Sequence, residues 1–345
     1  MSTTRRPSHY PTNATPANRL FAALLVFAAF AALAGTALAQ QRYTVNRPIT
    51  SLTPPAKEVP QESPTQVPLQ IVPVEWETDY SLALNKAKNS TRFLLIYLYA
   101  DEDIPASDGQ APIPAAAACR EFETIVLDDE FVRGGLDRFI LLKLPMNATI
   151  IDEDDTETSV FALPGFEHML GHPGLVAVDY AHRDAPYYGQ VTGILPFLQG
   201  VCPTEQQAGT FLRLPPGTLT QRTLTYAVRI HPHQPLSSEG QALPVVVQVA
   251  TDHALYQAER GVLGHQNFGR RSSQVIDLIG GGMPSEICAQ SLSGLSLFEG
   301  AIASMRLWRN SSAHWSIARK SHRYYGFDMA LSKNGTWYAV GFFID

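Results

Sequence analysis

Apolar residues follow an ordered pattern in the middle of the chain. Residues 93–99 form a nearly continuous apolar run, which is typical of a strand covered on both faces, and residues 139–144 form a second such run. Helical spacing of apolar residues after Pro114 predicts a helix between these strands. A further strand is predicted after Pro173. Because strands and helices alternate, we predict an α/β layer over residues 73–202.

The C-terminal part shows a second set of patterns. Residues 246–260 predict a helix, and alanines stepping by four form its packing face: Ala250, Ala254 and Ala258. Ser296 and Glu299 form a capping-box signature that opens another helix, which gives Glu299 a structural role. Asn334-Gly335 between two apolar runs predicts a β-hairpin near the end of the chain.

Residues 203–242 are interpreted as a connector between these two parts. Within it, polar and apolar residues alternate over residues 223–230, which predicts a strand. His231 and His233 follow in a Pro-rich loop. Two histidines without a third ligand favour a solvated loop over a metal site.

The N-terminal residues have the features of an export signal. Arginines precede a short apolar run, and small residues stand at the minus-three and minus-one positions before Gln40, so residues 1–39 predict a cleaved signal peptide. Residues 40–72 form a Pro-rich linker that buries too little apolar surface to fold. We therefore expect a secreted or periplasmic bacterial protein that keeps no integral membrane segment after cleavage.

Composition restricts the function further. Cleavage removes three arginines and no acidic residue, so the formal net charge moves from −6 to −9, which argues against nucleic-acid binding. The remaining chain of about 306 residues is long enough for two domains. Its three cysteines permit one disulfide and one free thiol in an oxidising compartment, and the sequence leaves the pairing open.

The candidate chemistry lies between residues 264 and 314. His265 and His314 stand about fifty residues apart with Glu286 between them, and a compact fold can bring the three side chains into one cleft. Two imidazoles and a carboxylate are a known ligand set for Zn²⁺ or another divalent cation. The sequence interpretation therefore takes His265 and His314 as candidate metal ligands.

The same residues carry a family resemblance. The segment Ser285-Glu286-Ile287-Cys288-Ala289, the pattern Trp308-x-x-Ser311-x-x-His314 and the final hairpin resemble the bacterial branch of the CAP (SCP-like) superfamily over residues 243–345. The resemblance implies an α-β-α sandwich with His265, Glu286, Ser311 and His314 at a ligand-binding cleft. It also implies a small apolar or lipid ligand, or a cell-envelope protein, as partner.

A second resemblance covers about residues 74–200. The segment Cys119-Arg120-Glu121-Phe122-Glu123 and its surroundings are similar to thioredoxin-fold proteins. The resemblance makes Pro173 the candidate for the family's cis-proline. Ala116 occupies the position of the first thiol of the CxxC pair, so dithiol exchange is chemically unavailable.

Three functional hypotheses follow. The first is an exported two-domain protein for binding or cell-envelope interaction, with a thioredoxin-like domain followed by the CAP-like domain. The second is a metal-dependent hydrolase that uses His265, Glu286 and His314. The third is a single-thiol redox protein acting through Cys119, although a buried structural cysteine is the favoured interpretation of that residue.

Overall fold

Two four-stranded sheets organise the part of the chain that the structure describes. The structure is a computed structural model, and it describes residues 74–105, 111–152 and 156–345. The signal peptide and the linker predicted for residues 1–39 and 40–72 lie outside the described residues. Residues 74–345 belong to one compact unit. The predicted α/β class is confirmed, because both halves of this unit combine helices with a sheet.

The first sheet has the strand order β2-β1-β5-β6. Strands β1 and β2 run parallel, whereas β5 is antiparallel to both of its neighbours, β1 and β6. A separate short hairpin joins β3 to β4. The elements of this half are α1 (Tyr80–Ser90), β1 (Phe93–Tyr99), α2 (Ala115–Thr124), α3 (Glu130–Leu136), β2 (Phe139–Pro145), β3 (Thr149–Ile151), β4 (Glu157–Ser159), β5 (Gly174–Val178), β6 (Val191–Pro196) and α4 (Glu205–Leu212).

The first core explains why these elements form where the sequence predicts them. Strand β1 is buried along nearly its whole length, as its continuous apolar run predicts. Helix α2 begins directly after Pro114, and its residues Cys119 and Phe122 face this core. Asp129 caps α3 by accepting a hydrogen bond from the Val132 N–H, at 3.0 Å. The strands and helices predicted between residues 93 and 178 are therefore confirmed.

The strand predicted for residues 223–230 is wrong. These residues belong to helix α5 (Leu219–Arg229), which begins with a capping box between Thr218 and Gln221. Helix α5 packs between β6 of the first sheet and β9 of the second sheet, and residues 222–228 are all buried. The alternation over residues 223–230 misleads because polar side chains of this helix are buried rather than solvent-exposed: Arg222 donates hydrogen bonds to the Leu214 and Pro215 carbonyls, and Thr225 donates to the Gln221 carbonyl.

The second sheet has the strand order β7-β9-β10-β8. Strand β10 pairs antiparallel with both β8 and β9, and the short β7 runs parallel to β9. The elements of this half are β7 (Gln241–Ala242), α6 (Pro244–Arg260), α7 (Phe268–Ile279), β8 (Pro284–Ser293), α8 (Leu297–Asn310), α9 (Ser312–Ala318), β9 (Tyr324–Leu331) and β10 (Thr336–Ile344).

Helices cover both faces of the second sheet. The alanine stripe of α6 packs against Tyr338, Val340 and Phe342 of β10 in one core cluster. On the other face, Trp308 of α8 lies against Phe327 of β9, with ring centroids 6.1 Å apart. The predicted helix of residues 246–260, the Ser296–Glu299 capping box and the Asn334-Gly335 hairpin are confirmed. Four short 3₁₀ helices complete the described structure: Val126–Asp128, Val160–Ala162, Phe166–Met169 and Leu198–Gly200.

The peptide bond before Pro173, the three cysteines and the length of the helices bear on further points of the sequence interpretation. The peptide bond before Pro173 is trans, as are all those of the described residues, so the cis-proline implied by the thioredoxin resemblance is wrong. Cys119, Cys202 and Cys288 are all free thiols. In the described part of the chain, no helix combines the length and the apolar character needed to cross a membrane.

Candidate functional site

Glu286 is the centre of the candidate site. It lies on β8, and its side chain is 1% exposed. The Glu286 Oε1 atom lies 2.9 Å from His265 Nδ1, and the Oε2 atom accepts a hydrogen bond from Arg271 Nη2 at 2.6 Å. A buried carboxylate with these partners keeps its charge compensated, because Arg271 supplies the opposite charge.

His265 lies in the loop between α6 and α7, and two buried side chains of α6 fix the residue before it. The Gly264 N–H donates to Gln257 Oε1 at 3.0 Å, and the Gly264 carbonyl accepts from His253 Nε2 at 2.8 Å. Gly264 adopts φ +149°, a conformation that side-chain-bearing residues rarely adopt. The loop is thereby held in place while the His265 side chain stays 47% exposed at the cleft.

His314 completes the cleft from α9. Its ring centroid lies 6.0 Å from that of His265, and the two ring planes are tilted by 58°, so the imidazoles are neighbours. Burial, together with the neighbouring His265, lowers the pKa of His314. Ser311 is the N-cap of α9, and its Oγ accepts a hydrogen bond from the His314 N–H at 3.4 Å. The structure thus brings His265, Glu286 and His314 together, and it places Ser311 as the residue that caps the helix of His314.

A second group of ligand-type atoms lies deeper, behind His265. Cys288 Sγ is 3.7 Å from Glu286 Oε1, and His253 Nε2 is also 3.7 Å from that oxygen. Ligand atoms of His253, Glu286 and Cys288 all lie within 4.8 Å of one another, and these three buried residues can hold a metal ion. Burial lowers the pKa of His253. Burial also raises the pKa of Cys288, the Glu286 charge raises it further, and the Gln257 side chain opposes both.

The sequence interpretation missed His253, Gln257, Arg271 and Cys288. Two simple signals identify most of them. Cys288 stands two residues after Glu286, and alternate residues of a strand share one face. His253 and Gln257 are four residues apart on α6, so they share one side of the helix. Arg271 gives no comparable signal, because only the packing of α7 brings it to Glu286.

Cys119 lies in a different environment, on α2 against the first sheet. Its sulfur accepts a hydrogen bond from the Ala100 N–H at 3.3 Å, and the thiol is 2% exposed. Burial raises its pKa, so the thiol stays protonated near neutral pH. Ala116 is also buried. This geometry agrees with a structural role for Cys119.

His231 and His233 form a third group of imidazoles, packed around Trp315. Arg309 Nε donates to His233 Nδ1 at 2.7 Å, which occupies one potential metal ligand. Burial, followed by the charges of His233, Arg309 and Arg306, lowers the pKa of His231 to about 4. Cationic neighbours favour neither a metal ion nor a protonated ring at this position.

Comparisons of the chain with protein-family models, with curated proteins and with solved structures gave no match.

Proposed function

We propose that this chain is an exported binding protein whose C-terminal half binds a divalent cation in a cleft formed by His265, Glu286 and His314, here called the cleft site. The observation that supports this most directly is the neighbouring pair of imidazoles, 6.0 Å apart between ring centroids, with a buried carboxylate hydrogen-bonded to one of them. Zn²⁺ suits the two imidazoles, because imidazole nitrogen is among its usual ligands and water can complete its coordination.

The hydrogen bond between His265 and Glu286 prepares the ring for a cation. When the Nδ1–H group of His265 donates a hydrogen bond to Glu286 Oε1, the other ring nitrogen, Nε2, carries the lone pair. A carboxylate in this position fixes the tautomer and orientation of a metal-binding histidine. The lowered pKa of His314 keeps its imidazole neutral at pH 7, so a ring nitrogen of His314 is available as a ligand.

Binding is favoured over hydrolysis by the environment of Glu286. A general base needs a carboxylate that can reach a water molecule and take its proton. The two oxygens of Glu286 are instead engaged by His265 and Arg271, and the side chain is almost fully buried. Glu286 therefore acts as a positioning residue in this proposal.

The proposed identities of the two halves rest on topology. A sheet covered by α6 on one face and α8 on the other supports a CAP-like C-terminal half over residues 243–345. The order β2-β1-β5-β6, with its parallel first pair, supports a thioredoxin-like half over residues 73–202. With Ala116 in place of a second thiol, this half serves as an interaction platform for an envelope partner and performs no dithiol exchange.

Calorimetric titration with Zn²⁺ tests the cleft site. We expect the purified protein lacking residues 1–39 to bind Zn²⁺, and a His265→Ala, His314→Ala double variant to lose at least tenfold in affinity for this site. A His168→Ala, His172→Ala variant is the matched control, because it removes two imidazoles of the first half of the chain and should leave the affinity unchanged. Equal affinity in the wild type and the His265/His314 variant would contradict the proposal.

Export is tested separately. Expression of the full chain in a Gram-negative host, followed by fractionation and N-terminal sequencing, should give a periplasmic or secreted product that begins at Gln40. A cytoplasmic product that retains residues 1–39 would contradict the export proposal and leave the cleft site untouched.

A further inference from the structure

We propose a second, inner cation site formed by His253, Glu286 and Cys288, here called the thiol site, in which Cys288 binds Zn²⁺ as a thiolate. The proposal goes beyond the cleft site, because it uses two residues that the cleft site does not need and selects a softer class of metal. Thiolate ligands favour Zn²⁺, Co²⁺ and Cd²⁺ over Mg²⁺ and Ca²⁺.

The spacing of the ligand atoms fits a small cation. In a tetrahedral zinc site, bond lengths of about 2.0–2.3 Å place neighbouring ligand atoms about 3.3–3.8 Å apart. Glu286 Oε1 lies 3.7 Å from both Cys288 Sγ and His253 Nε2. The third pair, His253 and Cys288, lies within 4.8 Å and closes by about 1 Å or less when a cation draws the ligands inward.

Two buried hydrogen-bond donors without an acceptor point to a negative charge at this position, such as the Cys288 thiolate. Gln257 is fully buried, and its Nε2 donor has no hydrogen-bond partner, although the amide faces the Cys288 thiol closely enough to affect its pKa. Arg271 Nε is also buried without a partner, beside the carboxylate that Arg271 binds through Nη2. A buried donor without an acceptor costs stability, and a thiolate at Cys288 supplies an acceptor for Gln257.

Charge and proton balance agree with this assignment. Cation binding forms a bond between the metal and Sγ, breaks the S–H bond and releases one proton to solvent. The thiolate and the Glu286 carboxylate then supply two negative charges beside the three positive charges of the divalent cation and Arg271. When His253 Nε2 binds the cation, it gives up its hydrogen bond to the Gly264 carbonyl. That carbonyl belongs to an exposed loop, so a water molecule can replace the lost donor.

The thiol site is compatible with the cleft site. The Glu286 Oε1 atom has two lone pairs, one for the inner cation and one for the His265 Nδ1–H. The two sites share Glu286 but differ in their other residues, so a variant can remove either site alone: His265 and His314 for the cleft site, His253 and Cys288 for the thiol site.

Cobalt titration followed by absorption spectroscopy tests the thiol site. Co²⁺ should give a near-ultraviolet thiolate-to-metal charge-transfer band with one proton released per bound ion. The band should disappear in Cys288→Ser, and His253→Gln should weaken it by at least tenfold in apparent affinity. It should persist in the His265→Ala, His314→Ala variant even if the cleft site fails its own test.

The control removes the other two thiols. A Cys119→Ser, Cys202→Ser variant retains Cys288 as its one cysteine, so a band in this variant can come from no other thiol. This arm also covers the case in which Cys288→Ser does not fold, which far-ultraviolet circular dichroism would show. If Co²⁺ binds without a thiolate band, if it fails to bind, or if the band survives in folded Cys288→Ser, the proposal is overturned.

Discussion

Cys119 and Cys288 are both buried thiols, one on a helix that packs against the first sheet and the other on a strand of the second sheet, and their surroundings differ. Cys119 is enclosed by the aromatic core of the first half, and the Ala100 N–H satisfies its sulfur. Cys288 has a carboxylate, two imidazoles and an amide close to it. Burial raises the pKa of both thiols.

The difference shows that burial alone does not make a site. A buried thiol next to hydrocarbon behaves as a small apolar residue. A buried thiol next to nitrogen and oxygen atoms belongs to a polar network whose members depend on one another. The surroundings of Cys119 therefore provide a control for the surroundings of Cys288.

The largest effect is expected at the carboxylate. Glu286→Gln removes the negative charge that compensates Arg271, whose side chain is only 13% exposed, so we expect a loss of about 3 kcal/mol in the free energy of unfolding. Urea denaturation of the metal-free protein measures this loss.

The matched control is Glu123→Gln, near Cys119. The Glu123 carboxylate contacts Lys143 at 3.0 Å and is 35% exposed, so the same substitution should cost less than about 1 kcal/mol. Similar losses of unfolding free energy in the two variants would show that Glu286 contributes no more to stability than a carboxylate in a surface ion pair.

A smaller effect concerns pH. The pKa of His231 is about 4 in the folded protein and near the ordinary 6.5 in the unfolded chain. The unfolded chain therefore binds more protons between these values, and stability falls as the pH is lowered from about 6.5 towards 4. We expect His231→Gln to reduce this loss by about 1 kcal/mol at pH 5, a value lowered for solvent screening.

Unfolding curves of wild type and His231→Gln at pH 7.5 and pH 5 measure this effect. Zn²⁺ affinity at pH 7.5 should be the same in both proteins, because His231 lies among cationic groups outside both proposed sites. A parallel pH dependence in the two proteins would show that His231 does not carry the proton linkage.

A still smaller effect is expected at the cap of α9. Ser311→Ala removes the acceptor of the His314 N–H, and because that hydrogen bond is long, at 3.4 Å, we expect a cost of about 0.5–1 kcal/mol. The helix that carries His314 should fray, which lowers Zn²⁺ affinity at the cleft site. Ser311→Thr keeps the acceptor and should retain both properties.

No dithiol redox activity is expected for this protein. Cys119 has no partner three residues away, because Ala116 stands there, so an insulin-reduction assay should give no turnover above the uncatalysed rate. Cys119→Ser should give the same result. Robust turnover by the wild type would show that a single thiol is active and would favour the redox alternative.

Local patterns were most reliable where one chemical rule decides the structure. The apolar run of β1, the capping box at Ser296 and the Asn334-Gly335 turn were predicted correctly, because each depends on residues within a few positions. Helix α5 contradicts the strand prediction, because the polar residues that alternate with apolar ones over residues 223–230 are buried and hydrogen-bonded rather than turned to solvent.

The sequence alone determined the candidate chemistry: two distant histidines, one glutamate between them, and the lack of a thiol three residues from Cys119. Tertiary structure decided what surrounds Glu286. Helix α6 brings His253 and Gln257 behind it, and α7 brings Arg271 to its second oxygen. Periodicity describes how residues are arranged within one element, whereas the partners of a buried charge are set by how separate elements pack together.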